Sequence, residues 1–403
     1  MGSMRTCHRS VKRGVLALFF LALLASAGHA QTFDKRTAKR LTAVVELLVA
    51  EKPVEARKIL DSINIGRLKP FAEATVFEMY AHAYAGEGAY KEAAKYFQQA
   101  LDSGGYEEDR QTRLRFNVAQ IYMMLEEWDK AIAQLDIFFA ETENPNSDAY
   151  YRLAICYYQK GDLPGALEPA RVAVDKAKVP KESHLRLLLA LYMEDKRYEE
   201  SIPLLEQLVS HYPQKAYWMQ LSAVYAELER DVDSLAAQQL AYRQGLLTKD
   251  KELRRLTQMY LYHDLPWRGG MVLEKAIEEE TVEGDADAWE LLGNSWLMAK
   301  EYSLALAPLT RAAEIAETGD IYARLGRVYV QREDWKNATE VLEQAVEKGE
   351  LEDEGNTRLL LGVSYYYDDK LSAARREFVR ATKFEDSERY GAQWIKVVDR
   401  DRE

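Results

Sequence analysis

The stretch Trp289–Ala312, WELLGNSWLMAKEYSLALAPLTRA, decides the fold of this 403-residue chain. Its first part, which runs through Trp296, places apolar or small residues at i, i+3, i+4 and i+7, on one face of a helix. A second helical run follows Lys300 and again keeps small residues on one face, at Ala305 and Ala312. The stretch therefore predicts two short amphipathic helices joined by a tight turn.

An aromatic residue followed nine positions later by a small one recurs along the chain at intervals of 33 to 38 residues. A fixed offset within each unit and a variable spacing between units are typical of rigid helix pairs on adjustable loops. Small residues let crossing helices approach closely, and the ring fills the neighbouring gap. The nine aromatic and small pairs are Tyr84 and Ala93, Tyr122 and Ala131, Tyr157 and Ala166, Tyr192 and Ser201, Tyr225 and Ser234, Tyr260 and Gly269, Trp296 and Ala305, Tyr329 and Ala338, and Tyr365 and Ala374.

This pattern resembles the tetratricopeptide repeat, whose signature includes W-x2-L-G-x2-Y in the first helix and A-x3-F-x2-A in the second. The resemblance implies an all-α chain, an α-solenoid of about ten antiparallel helix pairs with a C-terminal capping helix. The residues that carry it best are Trp289, Leu292, Gly293 and Trp296 with Ala305, Leu309 and Ala312; Tyr322, Leu325, Gly326 and Tyr329 with Ala338, Leu342 and Ala345; and Leu361, Gly362 and Tyr365 with Ala374, Phe378 and Ala381.

The sequence predicts three segments, the first from an export signal described below and the other two from the repeat pattern. Residues 1–30 form a secretory signal peptide, residues 31–386 the solenoid, and residues 387–403 the capping helix. The solenoid begins with a degenerate unit at about 37–70, and nine fuller units follow at about 74–385.

The fifth and sixth fuller units depart most from the pattern. Asp231, Ser234 and Gln238 break the residue pattern of the second helix in the fifth unit. In the sixth, His263–Gly270 places a proline and two glycines where a helix should start. Two interpretations remain open, a local change in solenoid pitch or an exposed partner contact at Trp267 and the arginine after it.

The N-terminus has the three parts of an export signal. Basic residues between Arg5 and Arg13 precede the apolar run Val15–Ala25, and small residues lead to Ala30 as the last residue before the cut. The 11 apolar residues are too few to span a bilayer, which takes about 20. We therefore expect a periplasmic protein with no stable membrane insertion after cleavage. The alternative is a scaffold tethered by an uncleaved signal, and a mature N-terminus at Gln31 would support release.

Charge and cysteine content exclude some classes of function. The chain has a net charge of −12, and the part after residue 30 carries −16. So acidic a protein is a poor binder of nucleic acid, and we expect no such partner. After export Cys156 is the only cysteine, so no internal disulfide can form, and we interpret it as a small buried hydrophobe rather than a reactive thiol.

Motifs for metal, nucleotide or nucleophilic chemistry are missing from the sequence. Glu78 and His82 share a helix face, but two ligands do not make a metal site. We predict a protein that is not an enzyme and has no cofactor, no metal and no catalytic residue. The alternative is an enzyme or enzyme accessory with an unrecognised site around Glu78 and His82 or at Tyr260–Gly270.

The resemblance implies that the first helix of each pair lines a concave surface that takes a peptide or a partner helix. It also implies a non-catalytic scaffold or adaptor in a cell-envelope complex, with TonB-type energy transduction as one possible system. Polysaccharide export and outer-membrane assembly are alternatives. The predicted groove residues are Arg113, Phe116, Gln120, Met123, Tyr151, Tyr158, Arg186, Met193, Met219, Arg254 and Gln258.

Overall fold

The computed structural model describes residues 33–316 and 318–402. Within these ranges the chain forms 21 α-helices and one 3₁₀ turn at Ile65–Arg67, with no strand. None of these helices is long and apolar enough to cross a membrane. The chain divides into two compact units, the first ending at Glu200 and the second beginning at Ser201. The predicted signal peptide, residues 1–30, lies outside the described residues.

The first eight helices of the first unit pack on each other in consecutive pairs, the first with the second, the third with the fourth and so on. Helix α10 crosses the boundary between the two units. The helices are α1 (Lys35–Val49), α2 (Pro53–Leu60), α3 (Pro70–Glu87), α4 (Tyr90–Asp102), α5 (Glu108–Met124), α6 (Trp128–Glu141), α7 (Ser147–Lys160), α8 (Leu163–Asp175), α9 (Glu182–Glu194) and α10 (Tyr198–His211).

The second unit continues the same pairing from α11 and ends in an unpaired helix, α21, which packs on α19 and α20. Trp394 of α21 stacks on Phe378, with ring centroids 5.3 Å apart. The helices are α11 (Lys215–Glu227), α12 (Asp231–Arg243), α13 (Asp250–Tyr262), α14 (Pro266–Glu278), α15 (Ala286–Met298), α16 (Tyr302–Ile315), α17 (Asp320–Gln331), α18 (Trp335–Lys348), α19 (Glu354–Tyr367), α20 (Leu371–Ala381) and α21 (Glu385–Asp401).

The turn between the two helices of a pair is the same throughout. Four residues after the aromatic, the backbone adopts the left-handed conformation, with φ of 60° at Lys300 and 56° at Asp369, for example. The next amide then donates to the carbonyl of the aromatic residue, as Glu301 N does to Trp296 O at 2.8 Å. The degenerate first unit has this turn too, at Glu51 with φ of 57°. One conserved turn geometry explains why the nine-residue offset does not vary.

The predicted small positions pack as the spacing requires. Ala305, Ala338 and Ala374 are fully buried in the second helices of their pairs. On the facing first helices, a Cβ at Gly293 or Gly326 would come within 2.6 Å of a leucine side chain of the second helix. The close crossing of paired helices confirms the all-α solenoid class.

Ala338→Leu is expected to lower the free energy of unfolding by about 1–3 kcal/mol, because the added carbons enter a crossing with no free space. Thermal unfolding followed by circular dichroism measures the effect. Lys336→Leu is the matched control, since the same side chain is added on the exposed face of α18. Equal melting temperatures for the two variants would contradict the tight packing at Ala338.

The two departing units keep their helices, so the departure near Asp231 lies in the residue pattern and not in the secondary structure. Helix α12 runs unbroken from Asp231 to Arg243. Ser234 and Gln238 are buried inside it and both bond to Ser222 of α11, with Oγ–Oγ and Nε2–Oγ distances of 2.9 Å. The proline of the sixth unit also begins a helix, since Pro266 is the first residue of α14, a position where its missing N–H is not needed.

Candidate partner-binding groove

Helices α5, α7 and α9 of the first unit carry eight of the predicted groove residues at matching positions. Arg113 and Gln120 lie on the same face of α5, seven residues apart. We call these eight residues the groove. Arg113 and Arg186 are exposed, and the other six are partly buried. The matching positions are six residues before the aromatic of each pair, at Phe116, Tyr151 and Arg186, and one residue after it, at Met123, Tyr158 and Met193.

Phe116 is held between two helices at the base of the groove. Its ring lies 5.0 Å from that of Phe138 on α6. The guanidinium carbon of Arg152 on α7 lies over the Phe116 ring, 5.3 Å from its centre. Both contacts fix a ring that is partly buried, and fixed aromatic rings are common anchors at protein interfaces. The sequence prediction did not include Arg152, because its position on α7 is adjacent to the chosen Tyr151.

Tyr151 is positioned by a polar cluster between α7 and α9. Its ring stacks on that of His184 at a centroid distance of 4.4 Å. His184 is buried, and its Nδ1 lies 3.1 Å from Ser147 Oγ and its Nε2 3.2 Å from Asp148 Oδ1. Lys181 Nζ also donates to Asp148, at 2.6 Å. The imidazole of His184 beside Asp148 and the ammonium of Lys181 hold the pKa of Asp148 well below its usual range.

Tyr158 and the methionines complete the groove of the first unit. Tyr158 donates its hydroxyl proton to Glu194 Oε1 on α9, at 2.9 Å. This bond and partial burial raise the pKa of Tyr158. Met123 packs on the core between α5 and α6. The groove therefore offers three aromatic rings, each held by a contact to another helix, and the thioether of Met123 packed on the core.

The three predicted groove residues of the second unit are placed differently. Met219 on α11 is partly buried, and Gln258 on α13 is exposed. Arg254 donates to Asp250 at 2.8 Å and to Asp285 at 2.9 Å, and it reaches the carbonyl of Glu283 at 3.0 Å. The guanidinium therefore ties α13 to the start of α15. Partner contact at these three residues stays a prediction.

A second surface with exposed rings lies at the start of α14. Trp267 is 52% exposed and Tyr262, before the turn, is 78% exposed. Both lie in the second unit. Because the Trp267 ring is exposed, a partner contact at Trp267 and Arg268 stays a prediction. Nothing in the described structure indicates which partner would bind there.

Glu78 and His82 belong to a largely buried ionic cluster. Tyr106 Oη donates to Glu78 Oε2 at 2.6 Å, and Arg110 donates to the same oxygen at 2.8 Å. His82 Nε2 lies 3.8 Å from Glu78 Oε1. Burial raises the pKa of Glu78, but His82, Arg110 and Tyr106 together lower it to about 2. No group of three or more potential metal ligands occurs among the described residues.

Cys156 is fully buried in the core between α6 and α7. Burial raises the pKa of its thiol to about 12. The thiolate that reacts is therefore absent at neutral pH. The interpretation of Cys156 as a small buried hydrophobe agrees with this environment.

Family models of the tetratricopeptide repeat match three parts of the chain, residues 79–138, 119–181 and 321–354. The first two matches together contain α5 and α7, which carry six of the eight groove residues. The chain therefore contains tetratricopeptide repeats in both compact units. No curated protein sequence matches it.

Solved structures of low sequence identity are similar to parts of the chain. A tetratricopeptide protein with an unusual peptide-binding site, YrrB, is 14% identical, with 41% of this chain and 83% of that one covered and a TM-score of 0.35. A MamA double mutant is 15% identical, with 44% and 94% covered and a TM-score of 0.39. The APC/C hetero-tetramer Cut9–Hcn1 is 12% identical, with 90% and 83% covered and a TM-score of 0.32.

Proposed function

We propose that this chain is a non-catalytic scaffold that binds a peptide or helix of a protein partner through the groove on α5, α7 and α9. One observation carries the proposal. Phe116, Tyr151 and Tyr158 keep partly exposed rings on neighbouring repeats, each ring fixed by a contact to another helix. Rigid, partly exposed aromatic rings are the side chains that most often dominate binding at protein interfaces.

We further propose that the partner belongs to a cell-envelope complex. The support is the sequence of the first 30 residues, which has the order of an export signal. A protein carried out of the cytoplasm and built of binding repeats fits a periplasmic adaptor, and a TonB-type energy-transduction system is the proposed setting. Polysaccharide export, outer-membrane assembly and an accessory role to an enzyme are the alternatives that the partner's identity decides.

Phe116→Ala/Tyr151→Ala/Tyr158→Ala is expected to reduce recovery of the specific partner by about tenfold or more, since it removes three anchoring rings. The measurement is crosslinking in intact cells, followed by affinity purification of the full chain and mass spectrometry. An inner-membrane energy-transduction component that is lost in the variant would support the TonB-type setting. Thermal unfolding of the purified variant verifies that the repeats stay folded.

The matched control is Tyr262→Ala/Trp267→Ala/Tyr390→Ala, which removes three rings that are 52–78% exposed and lie outside the groove. Recovery should be unchanged in this control. Recovery of the same partners with the wild type, the groove variant and the control variant would contradict binding in the groove. Loss in the control alone would move the binding site to the surface around Trp267 or Tyr390.

A further inference from the structure

We propose that α1 docks on an anionic lipid surface through a basic face on its exposed side. The residues of this basic face are Lys35, Arg36, Lys39 and Arg40. The proposal goes beyond the proposed function, because it assigns a second binding surface that shares no residue with the groove. It rests on helix geometry, on the local balance of charge and on the order of segments in the sequence.

The four cations of the basic face lie on the side of α1 that points away from the core. They form two pairs spaced i and i+4, so within an α-helix they occupy a sector of about 140°. Three of them are exposed, and Arg40 is partly buried. The buried side chains of α1 lie in the opposite sector, where α1 packs on α2 and α3, and they are Thr37, Leu41, Val44 and Leu48.

The cations of the basic face form no ion pair with a described residue. The ion pairs of α2 instead join Lys52 to Glu55 and Arg57 to Glu87. Arg40 donates to the backbone carbonyl of Ser62 at 2.7 Å, and this neutral acceptor leaves the charge of the guanidinium uncompensated.

The two acids of α1 and its N-cap do not neutralise the face. Asp34 comes just before it, but its carboxylate caps the helix by accepting from the amides of Arg36 and Thr37 and from the Thr37 hydroxyl. Glu46, the first acid within α1, comes seven residues after Lys39, which is about 10 Å along the helix axis. Residues 1–32 contain no aspartate or glutamate.

The charge of this region is opposite to that of the rest of the chain. Residues 31–69 contain nine basic and five acidic residues, a net charge of +4, whereas residues 70–403 carry −20. Counting also Glu73 and Glu87 of α3, the second of which pairs with Arg57, still leaves +2. At 0.15 M salt the screening length is about 8 Å, so acids on more distant helices contribute little at the basic face.

The position of the face in the sequence favours a lipid surface as its occupant. The apolar run Val15–Ala25 ends ten residues before Lys35. Ten residues span at most about 35 Å, so α1 comes within that distance of a membrane that the apolar run enters during export. Clusters of basic residues next to a membrane segment bind anionic lipid headgroups. The basic face thus keeps the exported chain at the membrane surface without insertion.

Flotation with lipid vesicles tests the proposal on the chain from Gln31 onward, which contains every residue of the described structure. The anionic vesicles contain equal amounts of phosphatidylglycerol and phosphatidylcholine, and pure phosphatidylcholine vesicles are the neutral reference. Each basic residue near an anionic membrane strengthens binding by about fivefold. Lys35→Gln/Arg36→Gln/Lys39→Gln/Arg40→Gln should therefore bind the anionic vesicles about a hundredfold more weakly than the wild type. Binding of the wild type should also fall as salt is raised.

The matched control is Lys91→Gln/Lys95→Gln/Arg243→Gln/Arg389→Gln, which removes two lysines and two arginines that are exposed and lie on other helices. It should bind the anionic vesicles like the wild type. Lys35→Arg/Arg36→Lys/Lys39→Arg/Arg40→Lys keeps the charge and should retain binding, which separates loss of charge from damage to α1. Loss of binding in this variant would contradict recognition by charge.

Equal binding to neutral and anionic vesicles, or no binding to anionic vesicles at low salt, would overturn the proposal. Tighter binding of soluble polyglutamate or of a single-stranded oligonucleotide than of anionic vesicles would also overturn it, since the face would then serve an acidic protein or a nucleic acid. Phe116→Ala/Tyr151→Ala/Tyr158→Ala should bind the vesicles like the wild type. The proposed function and the lipid surface can therefore fail separately.

Discussion

Trp296→Ala is expected to lower the free energy of unfolding by about 3–5 kcal/mol, among the largest single effects in this chain. Trp296 is the largest fully buried side chain among the described residues. Its ring lies so near α14 that a Cβ on Gly270 would come within 2.9 Å of three ring atoms. Since Gly270 has no side chain that could move into the space left by the ring, the cavity should persist. Urea denaturation at pH 7 measures the loss, and Trp267→Ala, half exposed on α14, should change stability by less than about 0.5 kcal/mol.

A double-mutant cycle tests whether Gly270 and the Trp296 ring fill one shared space, or whether Trp296→Ala lowers stability only by removing side-chain volume. Gly270→Leu alone should destabilise by about 1–3 kcal/mol or more through overpacking against the ring. With Trp296→Ala already present, the same leucine enters the vacated space and should cost much less. The expected coupling is about 1–3 kcal/mol. Additive effects of the two substitutions would show that the glycine and the ring do not share one space.

The departures from the repeat pattern occur in compensating sets. Gly270 is the only glycine that directly follows the small position in any of the nine units. The next unit has Trp296 at its aromatic position, where the other eight units have tyrosine. In the fifth unit Ser222, Ser234 and Gln238 replace an apolar crossing by three buried polar side chains that bond to one another. Each set keeps the helices at packing distance. In the fifth unit the three polar side chains must bond to one another, because a buried polar group without a partner would destabilise the crossing.

The sequence was sufficient to predict helix pairs and their facing residues, because both depend on spacing along the chain. It could not predict the turn between paired helices in conformational detail. Seven of the nine fuller units have a residue other than glycine at the left-handed position, as at Lys196 and Asp264. Such residues adopt positive φ at a cost, so propensity alone gives no signal. The hydrogen bond back to the aromatic carbonyl favours the turn.

The groove was only partly predictable for a related reason. Helical spacing identifies which residues of α5 face the same way, but not which residues of α7 meet them. The placement of Arg152 on Phe116 and of His184 on Tyr151 depends on how neighbouring helices pack. For Arg254 the spacing indicated a groove position, while the acidic partners Asp250 and Asp285 come from its own helix and from the start of α15.

Arg110→Met is expected to lower the free energy of unfolding by about 3–5 kcal/mol at pH 7, because it leaves the largely buried carboxylate of Glu78 without its guanidinium partner. The side chains of Glu78 and Arg110 are only 13% and 19% exposed. Arg171→Met is the matched control in the same unit, since Arg171 pairs with Glu168 and Asp175 while 49% exposed. Surface pairs of that kind contribute at most about 1 kcal/mol. Urea denaturation of the three proteins gives the comparison.

The pH dependence of this effect identifies its cause. In the wild type the pKa of Glu78 is lowered from 4.5 to about 2, so its contribution to stability is present above pH 4.5 and is lost as the pH falls toward 2. In Arg110→Met burial should raise the pKa of Glu78 above its unfolded value, so the variant recovers stability as the pH is lowered from 7. The difference between the two proteins should therefore narrow between about pH 7 and pH 4.5. A difference independent of pH would instead mean that the packing of Arg110 on the Tyr106 ring, 4.0 Å from its centre, carries the effect.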